Sequence, residues 1–133
     1  MRILTAIIIV VLFASCTVHL IDPKSFKSQV LAAPITDTSL HIGYGLVHYA
    51  LSNTKLKARR ISVLETTDKN GKRIVLKNIS GQAIRVTDKG GKRDLMYVSS
   101  IQANDSVFSG YRSLFLKTQT RLIPWNSVVK VEI

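Results

Sequence analysis

Two hexapeptides, Asp68-Lys69-Asn70-Gly71-Lys72-Arg73 and Asp88-Lys89-Gly90-Gly91-Lys92-Arg93, stand twenty residues apart and differ at one position. Asn-Gly and Gly-Gly between strand-type runs are the strongest local signals for a two-residue hairpin. Such a type I′ turn needs positive φ at both central residues, and these residue types supply it cheaply. The flanks agree: Ile61-Ser62-Val63-Leu64, Ile74-Val75-Leu76, Ala83-Ile84-Arg85-Val86 and Leu95-Met96-Tyr97-Val98 are short apolar or alternating runs bounded by Gly, Asn, Asp and Ser. Leu46–Leu51, Leu114-Phe115-Leu116 and Arg121-Leu122-Ile123 read in the same way. In the last run, Val129, Val131 and Ile133 alternate with Lys130 and Glu132, the period of a half-buried strand. No segment after residue 36 carries a helical period. The expected fold is all-β, an antiparallel meander or small open barrel over residues 37–133.

In a meander alternate turns lie at the same end of the sheet. The two hexapeptides would then gather Lys69, Lys72, Arg73, Lys89, Lys92 and Arg93 on one rim. This rim is the candidate anion-binding surface. It sits in the most basic part of the chain: residues 55–93 hold twelve Lys or Arg against Glu65, Asp68 and Asp88, within an overall formal charge of +11. A charge balance of this kind favours polyanionic surroundings such as anionic lipid, lipopolysaccharide or an acidic protein, and says nothing about fold. Nucleic acid is the weaker reading, because the basic segment lacks the aromatics that stack on bases. The plainer account is a solvated face that keeps sheet edges from pairing with other chains.

The N-terminus has a different character. Arg2 precedes an apolar run from Ile3 to Ala14 broken only by Thr5, about 12 residues long and thus short of the roughly 20 that span a bilayer as a helix. The run ends Leu12-Phe13-Ala14-Ser15-Cys16-Thr17, which resembles a lipobox of the looser Bacteroidota type, with Phe13 where Leu is usual. The resemblance implies a signal peptide over residues 1–15, lipid on Cys16 and attachment to a membrane. It also accounts for a lone cysteine in an exported chain. Thr17 stands where some lineages place an Asp retention signal, and no acidic cluster follows. The expected location is the outer membrane, facing the periplasm. Residues 16–36, broken by Pro23 and Pro34, read as a lipidated tether that could reach about 60–70 Å when extended. Phe26, Val30, Leu31 and Ala33 offer the alternative of a short helix docked on the domain.

From Gly81 onward the chain is similar to the C-terminal part of small Bacteroidota-type envelope lipoproteins. The likeness is carried by Ala83-Ile84-Arg85-Val86, Met96-Tyr97-Val98-Ser99-Ser100-Ile101, Asn104-Asp105-Ser106, Gly110 and Ile123-Pro124-Trp125-Asn126-Ser127-Val128-Val129-Lys130-Val131-Glu132-Ile133. It implies a small SH3-like or open-barrel module and brings no catalytic residue.

Chemistry-bearing patterns are sparse. His19, His41 and His48 lack the converging ligands a metal needs. Gly43-Tyr44-Gly45 does not make a phosphate loop, and no Ser has a nucleophile-elbow setting. No enzyme, cofactor or metal is expected. The leading functional expectation is a non-enzymatic envelope lipoprotein that binds or braces a partner through the basic rim. The alternative is a small-ligand or lipid-binding β-module with Tyr97, Phe108, Tyr111, Phe115 and Trp125 lining a pocket.

Overall fold

The computed structural model describes residues 17–39, 55–113 and 118–133. The apolar run expected to be a signal peptide, Cys16, the strand expected at residues 46–51, His41, His48 and the run 114–116 with Phe115 lie outside the described residues.

The first folded segment is β1 (Leu20–Ile21), followed by α1 (Pro23–Ala32). Asp22 caps the helix by accepting a hydrogen bond from the Ser25 N–H at 2.9 Å, and Pro23 occupies the first turn, where its missing N–H costs nothing. Phe26 and Val30, one turn apart, share the buried face. The helix stops at Ala33, whose extended backbone leads into Pro34. Its last carbonyls are not left bare: the Arg59 guanidinium donates to Leu31 O at 3.1 Å and Ala33 O at 3.0 Å, and also to Ala103 O at 3.2 Å. A cation at a helix C-terminus is favourably placed against the helix dipole.

Two strands follow, β2 (Ile35–Ser39) and β3 (Lys55–Arg59), paired antiparallel from Ile35 opposite Arg59 to Ser39 opposite Lys55. The hairpins β4 (Val63–Thr67) with β5 (Arg73–Lys77) and β6 (Ala83–Asp88) with β7 (Arg93–Tyr97) come next. Shorter strands complete the chain: β8 (Gln102–Ala103), β9 (Val107–Ser109), β10 (Tyr111–Ser113), β11 (Thr118–Gln119), β12 (Ile123–Pro124) and β13 (Val128–Glu132). Single 3-10 turns occupy Val98–Ser100 and Trp125–Ser127. The largest sheet has the order β1-β13-β6-β7; β12-β9-β8 forms a second, and β2-β3, β4-β5 and β10-β11 are two-stranded. Among the described residues all pairings are antiparallel and no sheet closes into a barrel. The protein is mainly β, as the turn and strand signals predict, with one docked helix.

That helix revises the tether. His19 is already paired within the fold: its N–H donates to Ile133 O at 2.8 Å and its carbonyl accepts from Ile133 N–H at 3.0 Å. Within the segment read as a tether, the alternative of a docked helix is the one observed, and residues 20–36 contribute Ile21, Phe26 and Val30 to the core. The expected boundary at residue 37 falls inside β2. The reason is energetic: burying a Phe side chain gains about 1.5–3 kcal/mol, and two apolar residues at helical spacing outweigh a polar average.

The core packs Phe26 edge-on against Phe108 (centroids 6.2 Å apart) and Trp125 (5.9 Å), while Phe108 and Trp125 stack at 4.0 Å. Trp125 places its Nε1–H on Asn104 O at 2.7 Å. Phe108 and Trp125, candidates for a ligand pocket, are thus committed to core packing.

Two details of register differ from the sequence reading. Gly71 and Gly91 have φ of +77° and +80°, but Asn70 and Gly90 do not have positive φ. Asp68 N–H donates to Lys72 O and Gly71 N–H to Asp68 O, with the same pattern at Asp88, Lys92 and Gly91. Each hairpin is therefore a longer loop with one left-handed glycine, not a type I′ turn. The aspartate selects it: Asp68 Oδ1 accepts from Asn70 N–H and Lys72 N–H, and Asp88 Oδ1 from Lys92 N–H. In β13 the register shifts between Val128 and Lys130, so Val128 and Val131 point inward while Val129 is exposed. A bulge inserts one residue and flips the face of everything before it. Val129 consequently does not share the buried face of Val131.

Candidate functional site

The six rim residues fall on two turns that belong to different sheets. Lys69 and Lys72 flank the β4–β5 turn, with Arg73 opening β5. Lys89 and Lys92 flank the β6–β7 turn, with Arg93 opening β7. All six are exposed. Alternate turns share one end of a sheet only within a continuous meander, and here β4–β5 is a separate two-stranded sheet that reaches the rest through β1 and α1. Arg73 is also spoken for: its guanidinium pairs with Glu65 across β4–β5, with Nε 3.1 Å from Oε2. The β6–β7 turn is tied to the 3-10 turn before β13 by Lys89 N–H donating to Ser127 O at 2.8 Å.

Six of the eight carboxylates are engaged within the fold. Glu65 holds Arg73, and Glu132 holds Arg85 (3.0 Å) and Lys130 (2.9 Å). Asp88 and the buried Asp94 both receive Arg121, at 2.6 and 2.9 Å, with Arg112 3.9 Å from Asp94. A carboxylate as deeply buried as Asp94 requires such a partner. Asp22 and Asp68 are engaged in the helix cap and the first turn. Hydrogen bonds from Lys92 N–H, then Arg121, hold the Asp88 carboxyl below the usual range, and Lys130, followed by Arg85, does the same for Glu132, in both cases against the opposing effect of burial. Among the described residues, no carboxylate pairs with Lys69, Lys72, Lys89, Lys92 or Arg93.

A second basic surface was not singled out from the sequence. Directly opposed residues of an antiparallel sheet share a face, and the β1-β13-β6-β7 registers align Leu20, Glu132, Arg85 and Leu95 in one row and Lys130, Thr87 and Arg93 in the next. Their alternates Ile21, Val131, Ile84, Val86 and Met96 are buried, so these rows form the outer face. Leu20, Leu95 and Val129 are exposed there at 56, 49 and 52%. The signal was present in Ala83-Ile84-Arg85-Val86, where Arg85 must oppose Ile84 and Val86. Which strands flank it depends on long-range pairing that local patterns do not encode.

The clefts are shallow. One, of about 400 Å³, lies between α1 and the last 3-10 turn and is lined by Lys24, Lys27, Trp125 and Asn126. Among the described residues no three His, Cys, Asp or Glu side chains gather as metal ligands, and no helix is long and apolar enough to cross a membrane. Buried Ser100, Ser109, Thr66 and Thr120 are all spent on internal hydrogen bonds.

No protein-family model, curated protein or solved structure matches the chain.

Proposed function

We propose that this protein is a non-enzymatic, lipid-anchored lipoprotein of the cell envelope, held at the outer membrane through Cys16, that binds an anionic partner through its basic hairpins. The observation that carries the binding role is the clustering of exposed cations at the two hairpin turns: among the described residues Lys69, Lys72, Lys89, Lys92 and Arg93 have no carboxylate partner, while Arg73, Arg85, Lys130, Arg112 and Arg121 do. Near an anionic surface each such cation contributes on the order of 1 kcal/mol. The anchoring role draws on the apolar run that ends in Ala14-Ser15-Cys16.

Intact-mass analysis of protein extracted from membranes tests the anchor. Loss of residues 1–15 with added acyl chains is expected, and an unmodified mature chain beginning elsewhere would refute it. The triple change Lys72→Gln, Lys92→Gln and Arg93→Gln tests the hairpins, leaving the Glu65–Arg73 pair intact. Co-purification of an acidic protein or anionic lipid from gently solubilised membranes should fall relative to wild type. Equal recovery at low salt would reduce the hairpins to a solubilising surface.

A further inference from the structure

We infer that the outer face of the β1-β13-β6-β7 sheet lies directly on the bilayer, with anionic lipid headgroups as its occupant. The inference rests on the anchoring reading above and goes beyond it by naming the contact surface. Its first support is chain length. His19 is already locked into the fold through both hydrogen bonds to Ile133, so only three residue steps separate it from Cys16. At about 3.3–3.6 Å per residue these reach roughly 10–11 Å. A lipid on Cys16 therefore holds the domain against the membrane, where a twenty-residue tether would have released it. That gap is close to the Debye length of about 8 Å at physiological salt, so charges on the facing surface still act on the headgroups.

The second support is what the adjoining face presents. Val18 is 54% and Leu20 56% exposed at the attachment point, and the same sheet adds exposed Leu95 and Val129. Between them stand Arg85, Arg93 and Lys130 against the single carboxylate of Glu132, with Tyr97 opposite Ala83 at the margin. Apolar side chains interspersed with a cationic surplus suit the interface of an anionic membrane, in which short apolar groups enter the headgroup layer and cations meet phosphates. Lys89 and Lys92 project from the turn at one end of this same sheet.

Acylation blocks the single thiol of the sequence, so the acylated mature chain accepts one engineered cysteine as a unique label. Fluorophores at Leu95→Cys and Val129→Cys, both half-exposed positions, report on the face, and one at Asp105→Cys, in the β8–β9 turn of another sheet, serves as control. In vesicles of phosphatidylethanolamine and phosphatidylglycerol, the labels at 95 and 129 should lose most of their accessibility to a water-soluble quencher while that at 105 keeps it. Equal accessibility at all three sites on protein whose mass shows the acyl chains overturns this orientation and leaves the anchor standing. An unacylated Cys16 overturns both. Shielding found in native membranes but absent from protein-free vesicles would assign the face to a protein and overturn the lipid occupant.

Discussion

At single residues, backbone conformation and contact distance separate glycines that the sequence alone treats alike. Gly71 and Gly91 sit at φ +77° and +80° with open space around the missing Cβ, so substitution there costs conformation and nothing else. Valine at either position should destabilise by about 1–3 kcal/mol, the usual strain of a non-glycine residue held left-handed. Gly90, one residue earlier, lacks that φ, and Gly90→Ala should cost less than Gly91→Val. Gly110 is different: a Cβ would lie 2.8 Å from Met96 Cβ and 2.9 Å from its Sδ, inside the core. Met96 is fully buried and has nowhere to retreat. Gly110→Ala should therefore cost about 1–3 kcal/mol through overpacking. Chemical denaturation of each variant checks the set, and a neutral Gly110→Ala would mean that Met96 repacks freely.

At the level of elements, α1 and the two Asp hairpins show what was readable and what was not. The turns were legible because aspartate and glycine act within five residues, and the strands flanking them followed from alternation. The helix was legible only as the alternative to a tether, because its fully buried face is two residues wide. Its docking also depends on distant groups: Gln29 presents its amide to the edge of β4, donating to Glu65 O at 2.9 Å and accepting from Glu65 N–H at 2.7 Å, as a neighbouring strand would. Likewise, local signals locate the two turns without assigning them to sheets, and the hairpins belong to different ones. The Asp88 turn differs from its repeat by the added Arg121, which also reaches Asp94. That difference predicts acid sensitivity. Since Asp88 and Glu132 have carboxyls depressed below their ordinary values in the folded protein, their contribution is present above the unfolded values of about 4 and is lost as pH falls through the lower folded ones. Thermal midpoints should hold steady from neutral pH to about 5 and then drop. The drop should be shallower in Asp88→Asn, whose starting stability is lower; an unchanged slope would remove Asp88 from the linkage.

For the whole molecule, the surplus of cations makes opposite demands on folding and on binding, and salt separates them. With +11 formal charges on 133 residues, the compact state brings together Lys and Arg side chains that the unfolded chain keeps apart. Among the described residues three ion-pair groupings oppose that repulsion: Glu65 with Arg73, Glu132 with Arg85 and Lys130, and Asp88 and Asp94 with Arg121 and Arg112. Several of them are exposed, however, and exposed pairs contribute only about 0–1 kcal/mol each. Repulsion should dominate. Raising salt shortens the Debye length from about 8 Å at physiological strength to about 3 Å at 1 M, so the melting temperature should rise with salt while association with anionic vesicles weakens. The Lys72→Gln, Lys92→Gln and Arg93→Gln variant isolates the same effect: it should melt higher than wild type at low salt, with the difference vanishing at high salt, and bind anionic vesicles less tightly throughout the low-salt range. Calorimetry across a salt series on wild type and variant measures the folding side, and vesicle sedimentation the binding side. If added salt instead lowers the melting temperature of wild type, the ion pairs of Glu65, Asp88, Asp94 and Glu132 outweigh the repulsion, and the exposed lysines are spaced widely enough to be indifferent to one another.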